Sequence, residues 1–557
     1  MSKKSDKYIR EKPANGAIKP KGKSSGNPLV QTDKILWITV SIIFLLVLYI
    51  RIRLLSTALE RDEGEYAYMG QLLLKGILPF KEAYNMKFPG TNMMYAFFMT
   101  FFGQNPVGIH LGLLCINAGS AYLLFILYQK WTDSKSKALI ASSIFAFLAV
   151  SQGVFGFAAH ATHFIVFFAL AGLVLLYRAF DHTKISGYLI SGLIFGLSVL
   201  MKQPAIFFVL LGLCLILTQY FYKKFDVKKL IRYSIVFITG SLFPLILLVT
   251  ILKIGGTFDR FWFWTVQYGM QYGSIVNIQL GIEAFKHSFS YIFSESWLFW
   301  ILAASGLLIL IISKGWRNGK LEIILFFAFS FLALIPGLYF REHYFVMLLP
   351  ALSILVVEGL FYMANKIKLI EHRDLALTII LIVIISWTLI SNSSYFLSDS
   401  PEVIVRKIYE HNPFIESYAI SDFIEARTTP DDRIEVFGSE PEIYFYSNRL
   451  AASGHIYMYG LMEPQRYSSF MQQEMINDVA RNKPKYIVFC NIRKSWLERP
   501  NSDKHLLIWS KDYITKYYNL AGVADLGEET TYKWMNDALF YQPKSNNVIF
   551  IFERRGK

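Results

Sequence analysis

Ile35-Leu36-Trp37-Ile38-Thr39-Val40-Ser41-Ile42-Ile43-Phe44-Leu45-Leu46-Val47-Leu48-Tyr49-Ile50 is the core of an apolar run from about 35 to 55, and the acidic segment Arg61-Asp62-Glu63-Gly64-Glu65-Tyr66 comes straight after it. A helix needs about 17 to 25 apolar residues to cross roughly 30 Å of hydrocarbon. The first stretch therefore reads as a membrane span and the second as a polar loop at its end. Ahead of the span, the first 34 residues hold nine Lys/Arg against three acids and are rich in Gly, Ser and Pro, the composition of a disordered cytoplasmic tail. The run could mimic a signal peptide, but Ser56-Thr57-Ala58 is a poor cleavage site and the leader is long and basic, so a retained signal-anchor is expected.

Composition extends this reading to the whole chain. Of 557 residues, 54% are hydrophobic, 16% aromatic and only 17% charged, too apolar for an ordinary soluble protein of this size. Eleven apolar runs can be counted, at about 35–55, 107–128, 138–157, 161–177, 186–201, 204–222, 231–253, 294–313, 321–339, 343–364 and 375–396. The third and fourth form one run broken near Gly153-Val154-Phe155-Gly156, and the fifth ends at Lys202-Gln203-Pro204, where the proline restricts its predecessor. With the N-terminus inside, the cytoplasmic loops become Lys130 to Lys137, Arg178 to Lys184, Lys223 to Arg232, Lys314 to Lys320 and Lys366 to Arg373, and each is basic, as the positive-inside rule requires. The net charge of +15 is then a topology signal, and a nucleic-acid partner loses its support. Three cysteines, Cys115, Cys214 and Cys490, define neither a disulfide framework nor a metal site.

The expected fold is mainly α: a polytopic helical bundle of about eleven transmembrane helices with a C-terminal extracytoplasmic α/β domain. Its divisions are a basic tail over 1–34, a membrane domain over 35–397 with outer loops 56–106 and 254–293, and the α/β domain over 398–557. Helix-like stretches at Asp62 to Lys75 and Gly90 to Phe102 flank the turn-rich Gly76 to Pro89, and Phe258 to Trp264 is an aromatic run suited to a membrane interface. In the tail, Arg433 to Phe437, Tyr486 to Phe489 and Val548 to Phe552 read as strands. No internal repeat of the kind that builds many transporters is seen.

The informative charges are those that topology leaves unexplained. Asp62, Glu63 and Glu65 are carboxylates, whereas Lys87, Lys202 and Arg341 are cations at or near the outer ends of spans, where a charge must snorkel or be paired. Together they suit a phosphate-bearing ligand beside a general base. The bland readings are specific. Asp62-Glu63-Gly64-Glu65 has the spacing of an N-cap with its capping-box partner, which accounts for Glu65 as well as catalysis does. Lys87 has the place of a snorkelling lysine, Lys202 that of a reentrant turn reaching headgroups, and Arg341 could simply pair with Glu342. His160 and His163 share a spacing that could bind metal, but without an assignable third ligand they read better as helix-end contacts. No P-loop, dinucleotide fingerprint, zincin or esterase motif appears, which argues against nucleotide-driven pumping and the common hydrolases.

At these residues the sequence resembles the integral-membrane glycosyltransferases of the GT-C fold, in the bacterial branch related to protein O-mannosyltransferases and aminoarabinose transferases. The sharp part is Arg61-Asp62-Glu63-Gly64-Glu65-Tyr66-Ala67-Tyr68 through Tyr84-Asn85-Met86-Lys87-Phe88-Pro89-Gly90; Lys202-Gln203-Pro204 and Arg341-Glu342-His343-Tyr344 are similar as well. The resemblance implies that Asp62 is the catalytic base, that Lys87 approaches a lipid phosphate, and that the other two segments lie near the donor phosphates. On it, Arg61, Tyr66, Lys87, Lys202, Gln203, Arg341, His343 and Tyr344 are assigned to substrate binding. The chain departs from the pattern at Thr162, where relatives commonly have an acid, leaving Glu63 or Glu65 as substitutes for a second catalytic carboxylate.

The implied reaction transfers a sugar, with inversion, from a polyprenyl-phosphate donor to a lipid, glycan or protein acceptor at the outer face of the cytoplasmic membrane. The sequence neither requires nor excludes a divalent metal. A transporter or flippase for a lipid-linked or anionic solute would use the same cations, but charges near the bilayer midplane and repeated halves would then be expected. A receptor built on the outer domain leaves the acidic first loop unexplained. Gly438-Ser439-Glu440-Pro441-Glu442 marks a turn into a helix, with capping as its default role.

Overall fold

In the computed structural model, residues 28–313, 319–366 and 373–556 are described. The tail as far as residue 27 and much of the basic loops at 314–320 and 366–373 lie outside the described residues. Each of the eleven apolar runs falls wholly or partly on a helix. Among the described residues, six helices are by themselves long and apolar enough to cross a membrane: Lys34–Arg53, Pro106–Thr132, Ala161–His182, Gln203–Phe221, Val227–Ile254 and Ile278–Ile312; Ile185–Met201 and Leu375–Ser391 are shorter apolar helices. The architecture is a helical membrane bundle followed by a C-terminal α/β part. Helices Ile185–Met201 and Val227–Ile254 cross closely because Gly192 and Gly196 have no side chain where the backbone carbonyls of Phe237 and Ser241 press against them.

Two boundaries and one local conformation differ from the sequence expectation. Helix Lys135–Leu148 stops short, and the chain runs through a one-turn 3₁₀ segment at Gln152–Val154 before helix Ala161–His182 begins. Carbonyls released by this break would be costly in an apolar interior. Buried Arg51 satisfies two of them, donating to Ala149 O at 2.7 Å and Gly156 O at 2.6 Å. The run expected from 294 starts instead at Ile278, within one helix that kinks at Ser296, so part of the 254–293 outer segment is continuous with a span. The aromatic run is an α-turn, Phe258–Trp262, passing into a π-turn, Phe263–Tyr268. It is not simply an interface anchor: Trp262 is exposed, but Trp264 is buried and stacks on Tyr84 at 5.7 Å.

The C-terminal part carries one six-stranded mixed sheet. Its strands are β1 Arg433–Phe437, β2 Leu450–Ala451, β3 Tyr486–Asn491, β4 Tyr518–Leu526, β5 Thr530–Trp534 and β6 Val548–Arg554, in the order β2-β1-β3-β6-β4-β5. β1 is parallel to β2 and β3, whereas the other pairs are antiparallel, with Val488 opposite Ile551 and a bulge between Leu520 and Gly522. β1 and β3 are almost wholly buried central strands; β3 reads as an apolar run from Tyr486 to Cys490, whereas β1 carries the buried Glu435 between Ile434 and Val436.

The two parts meet at helix Arg61–Leu74. Leu59 N donates to Tyr446 Oη at 3.1 Å, Ala451 N donates to Tyr68 Oη at 2.9 Å, and Tyr84 N donates to Gly454 O at 2.9 Å.

Candidate active site

The acidic segment forms the first turn of helix Arg61–Leu74, but Asp62 does not cap it. Glu60 is the N-cap: its carboxylate accepts from Glu63 N at 3.0 Å while the Glu63 carboxylate accepts from Glu60 N, completing a capping box two residues earlier than the spacing suggested. Glu63 is fully buried and turned away from solvent, where its Oε1 meets His110 Nε2 at 3.0 Å and accepts from Ala159 N at 2.6 Å. Asp62 and Glu65 are thereby released from capping. One helical turn apart, they share a face.

Lys87 reaches back to that face from the turn-rich segment, fixed by a bond from its own amide to Asn85 Oδ1 at 2.9 Å. Its ammonium lies 3.1 Å from Asp62 Oδ1, 3.1 Å from Glu65 Oε2 and 4.5 Å from the centre of the Tyr66 ring. Lys202 arrives from the end of helix Ile185–Met201, in an extended conformation between that helix and the 3₁₀ turn Gln203–Ala205. Its ammonium sits 3.9 Å from the centre of the Tyr344 ring, and Gln203 Nε2 donates to Met86 O at 2.8 Å, tying this turn to the Lys87 segment. Arg341 follows Pro336 to Phe340, where Gly337, Leu338 and Phe340 have positive φ.

These elements enclose a cavity of about 360 Å³ lined by Asp62, Glu65, Lys87, Lys202, Gln203, Arg341, His343 and Tyr344. A larger polar groove of about 580 Å³, around Arg260, Arg433 and Glu474, lies beside Tyr84 and holds none of Asp62, Lys87, Lys202 or Arg341. Arg61 and Tyr66 do not line the smaller cavity. Arg61 points into the C-terminal part, donating to Asn412 Oδ1 at 3.0 Å and to Glu440 Oε1 at 3.2 Å; Tyr66 is buried beneath Lys87 and meets Tyr95 edge-on. The Arg341–Glu342 ion pair is not formed, since Glu342 accepts from Ser288 Oγ at 3.0 Å. Among the described residues, neither Lys202 nor Arg341 has a carboxylate at ion-pair distance.

The electrostatics separate the two acids. Burial pushes the Asp62 carboxyl up, but Lys87 and then His160, Arg341 and Lys202 outweigh it and hold the group well below the usual carboxylate range. Glu65 is pushed up to about 7, chiefly by burial, which Lys87 opposes and Asp62 reinforces. Lys202 is lowered to about 7 by burial and then by Lys87. Such divergence between neighbouring titratable groups marks functional sites more often than structural ones.

The sequence paired His160 with His163 as candidate metal ligands, but the structure groups His160 with Asp62 and His343 instead. One ligand atom each from Asp62, His160 and His343 lie within 4.8 Å of one another, a donor set suited to a borderline divalent ion. His160 has no hydrogen-bond partner on either ring nitrogen and stacks on His343 with centroids 4.0 Å apart and planes at 14°. Facing rings do not direct their in-plane lone pairs to one point, so an ion here requires one ring to turn. His163 is held apart by Asn117 Oδ1 at 3.1 Å, and Thr162 is buried.

Apart from Trp264, which belongs to the aromatic run already noted, sequence reasoning missed the far wall of the cavity. Trp264, Tyr268 and Tyr272 come from the π-turn region, and Tyr457, Tyr459, Glu463 and Arg499 from the C-terminal part. Only the density of aromatic residues hinted at them.

Comparison with known proteins bears on the fold. The fold is similar to that of GT-C membrane glycosyltransferases. The family model for dolichyl-phosphate-mannose-protein mannosyltransferase matches residues 86–252. The crystal structure of ArnT from Cupriavidus metallidurans bound to undecaprenyl phosphate is similar with a TM-score of 0.58 at 11% identity, covering 92% of this chain and 97% of that one; its apo state gives the same values. The archaeal oligosaccharyltransferase AglB from Archaeoglobus fulgidus, in complex with an inhibitory peptide and a dolichol-phosphate, is more distant, with a TM-score of 0.43 at 12% identity over 93% of this chain and 75% of that one. Among curated proteins, none matches the chain in sequence.

Proposed function

We propose that the chain transfers a sugar from a polyprenyl-phosphate-linked donor to an acceptor hydroxyl on a lipid, glycan or protein, with inversion at the anomeric carbon. The observation that carries this reading is the pairing of a held carboxylate with two unpaired cations in one cavity. Asp62 is anchored by Lys87, while Lys202 and Arg341 line the same space with no carboxylate at ion-pair distance among the described residues. The undecaprenyl phosphate bound to ArnT is consistent with a lipid phosphate as ligand.

In the proposed step the acceptor oxygen attacks C1 and its proton passes to Asp62. The bond from C1 to the phosphate oxygen breaks, and its electron pair leaves with the phosphate, whose charge Lys202 and Arg341 neutralise. A single displacement inverts C1. A carboxylate held as low as Asp62 is a weak base, but a donor phosphate shares the field of Lys87, Lys202 and Arg341 and raises the proton affinity of Asp62 when the proton must be taken. The basic loops between spans support a site on the outer face of the cytoplasmic membrane, with the N-terminus inside and residues 398–557 outside.

The test is Asp62→Asn in purified protein reconstituted with a polyprenyl-phosphate sugar. Transfer should fall by about 10² to 10⁴ without a change in thermal stability. Wild-type turnover in that variant overturns Asp62 as base. Movement of the lipid across vesicles without a new glycosidic bond overturns transfer in favour of transport.

A further inference from the structure

Helix Arg61–Leu74 presents two faces with different partners. Asp62 and Glu65 face the cavity, whereas Arg61, Gly64, Tyr68 and Gln71 face the C-terminal part. On the second face there is no slack: a Cβ built at Gly64 would lie 2.7 Å from both the Cβ and the backbone nitrogen of Glu442. The guanidinium of Arg61, adjacent in sequence to Asp62, finds its hydrogen-bond acceptors entirely in the C-terminal part, at Ser439 O, Asn412 Oδ1 and Glu440 Oε1. It also lies 5.4 Å from the Phe414 ring and 5.1 Å from the Tyr459 ring, and Tyr459 lines the cavity.

Glu440 is the buried anchor of this arrangement. Its side chain is fully buried and it also accepts from Ser495 Oγ. The helix that follows it, Glu442–Ser447, has no side-chain cap, so capping does not explain the residue. A buried carboxylate paired with a buried guanidinium allows little movement, because separating them strands a charge in a low-dielectric interior.

We propose that Glu440, acting through Arg61, is a positioning residue that fixes the first turn of helix Arg61–Leu74 and so aims Asp62, making the C-terminal part a working half of the active site. This rests on Asp62 being the base. The pair touches no atom of the cavity-facing carboxylates; it sets where they stand. A shift of about 1 Å at a catalytic group can cost about 10²-fold in rate, so the loss should appear in kcat rather than in donor affinity, which depends on Lys202 and Arg341.

The test uses the full chain in nanodiscs, with Glu440→Ala, Arg61→Ala and the double variant. Each single variant should lower kcat by about ten- to a hundredfold with the donor KM within about threefold. The double variant should lose no more than the worse single, since both remove one device. Added guanidinium should restore part of the activity of Arg61→Ala. Hydrogen exchange gives a readout without activity: amides of 61–68 should exchange at least tenfold faster in Glu440→Ala while β1 and β3 stay protected. If the alanine variants fail to fold, Arg61→Lys and Glu440→Asp should show the same kcat-specific loss in milder form. Losses that multiply in the double variant, kcat within twofold of wild type in a folded single variant, or unchanged exchange at 61–68 overturn the proposal. If wild type transfers no sugar, the functional reading fails, and the exchange result still decides the link between Glu440 and the helix.

Discussion

The ammonium of Lys202 rests 3.9 Å from the centre of the Tyr344 ring, a cation over an aromatic face. Burial and then Lys87 lower this lysine to about 7, so it loses its charge as the pH rises through neutrality. Donor capture, read as kcat/KM, should therefore fall above pH 7. Lys202→Arg keeps a charged group at all working pH and should flatten that limb. An unchanged pH profile in Lys202→Arg would remove this lysine from donor binding.

Glu63 and Asp62 should separate cleanly by mutation although they are neighbours. Glu63 closes the capping box and holds His110 and the Ala159 amide, all buried. Glu63→Ala leaves those groups without partners, at a cost of about 1 to 3 kcal/mol for each. It should lower the melting temperature and take activity down with it, whereas Asp62→Asn should leave melting unchanged. Equal melting of the two variants would show that Glu63 is not structural.

Arg51 should behave as a stability residue far from chemistry. Arg51→Met strands the carbonyls of Ala149 and Gly156, each worth about 1 to 3 kcal/mol when unsatisfied. Thermal unfolding in detergent should shift down markedly, and Arg51→Lys should recover only part, because an ammonium lacks the planar fork. Unfolding at the wild-type temperature in Arg51→Met would show that other groups satisfy the break.

A change at Gly64 tests the docking of the two parts by sterics alone. Gly64→Val drives a branched side chain into the Glu442 backbone, which cannot yield as a flexible side chain would. Limited proteolysis should then cut the connection between the membrane helices and β1 faster than in wild type. A wild-type digestion pattern would count against tight docking.

Some local features were legible in the sequence to within a residue or two, although the bounds of the spans expected at 138–157 and 294–313 were not. The stretches read at Asp62 to Lys75 and Gly90 to Phe102 are helices Arg61–Leu74 and Gly90–Phe102, and the three expected strands are β1, β3 and β6. These follow from apolar periodicity and turn residues, which act over a few positions. The assignment of Asp62 as the cap failed because Glu60 offers the same chemistry two residues earlier, and spacing alone cannot rank two acids. Pairing across the chain left no mark: Arg61 meets Glu440, 379 residues away, and nothing in either segment names the other. The aromatic wall from Tyr457 and Tyr459 was invisible for the same reason, since it exists only once the C-terminal part docks.

The interrupted stretch between Leu148 and Ala161 bears on how this protein can be engineered. Replacing its residues with strong helix formers is an obvious way to harden a membrane bundle against heat. A continuous helix would draw the Ala159 amide into its own ladder, and Glu63 would lose the donor that now turns it away from the cavity. The irregular backbone is thus a seat for the acidic helix, and straightening it would give a sturdier scaffold with a misplaced carboxylate.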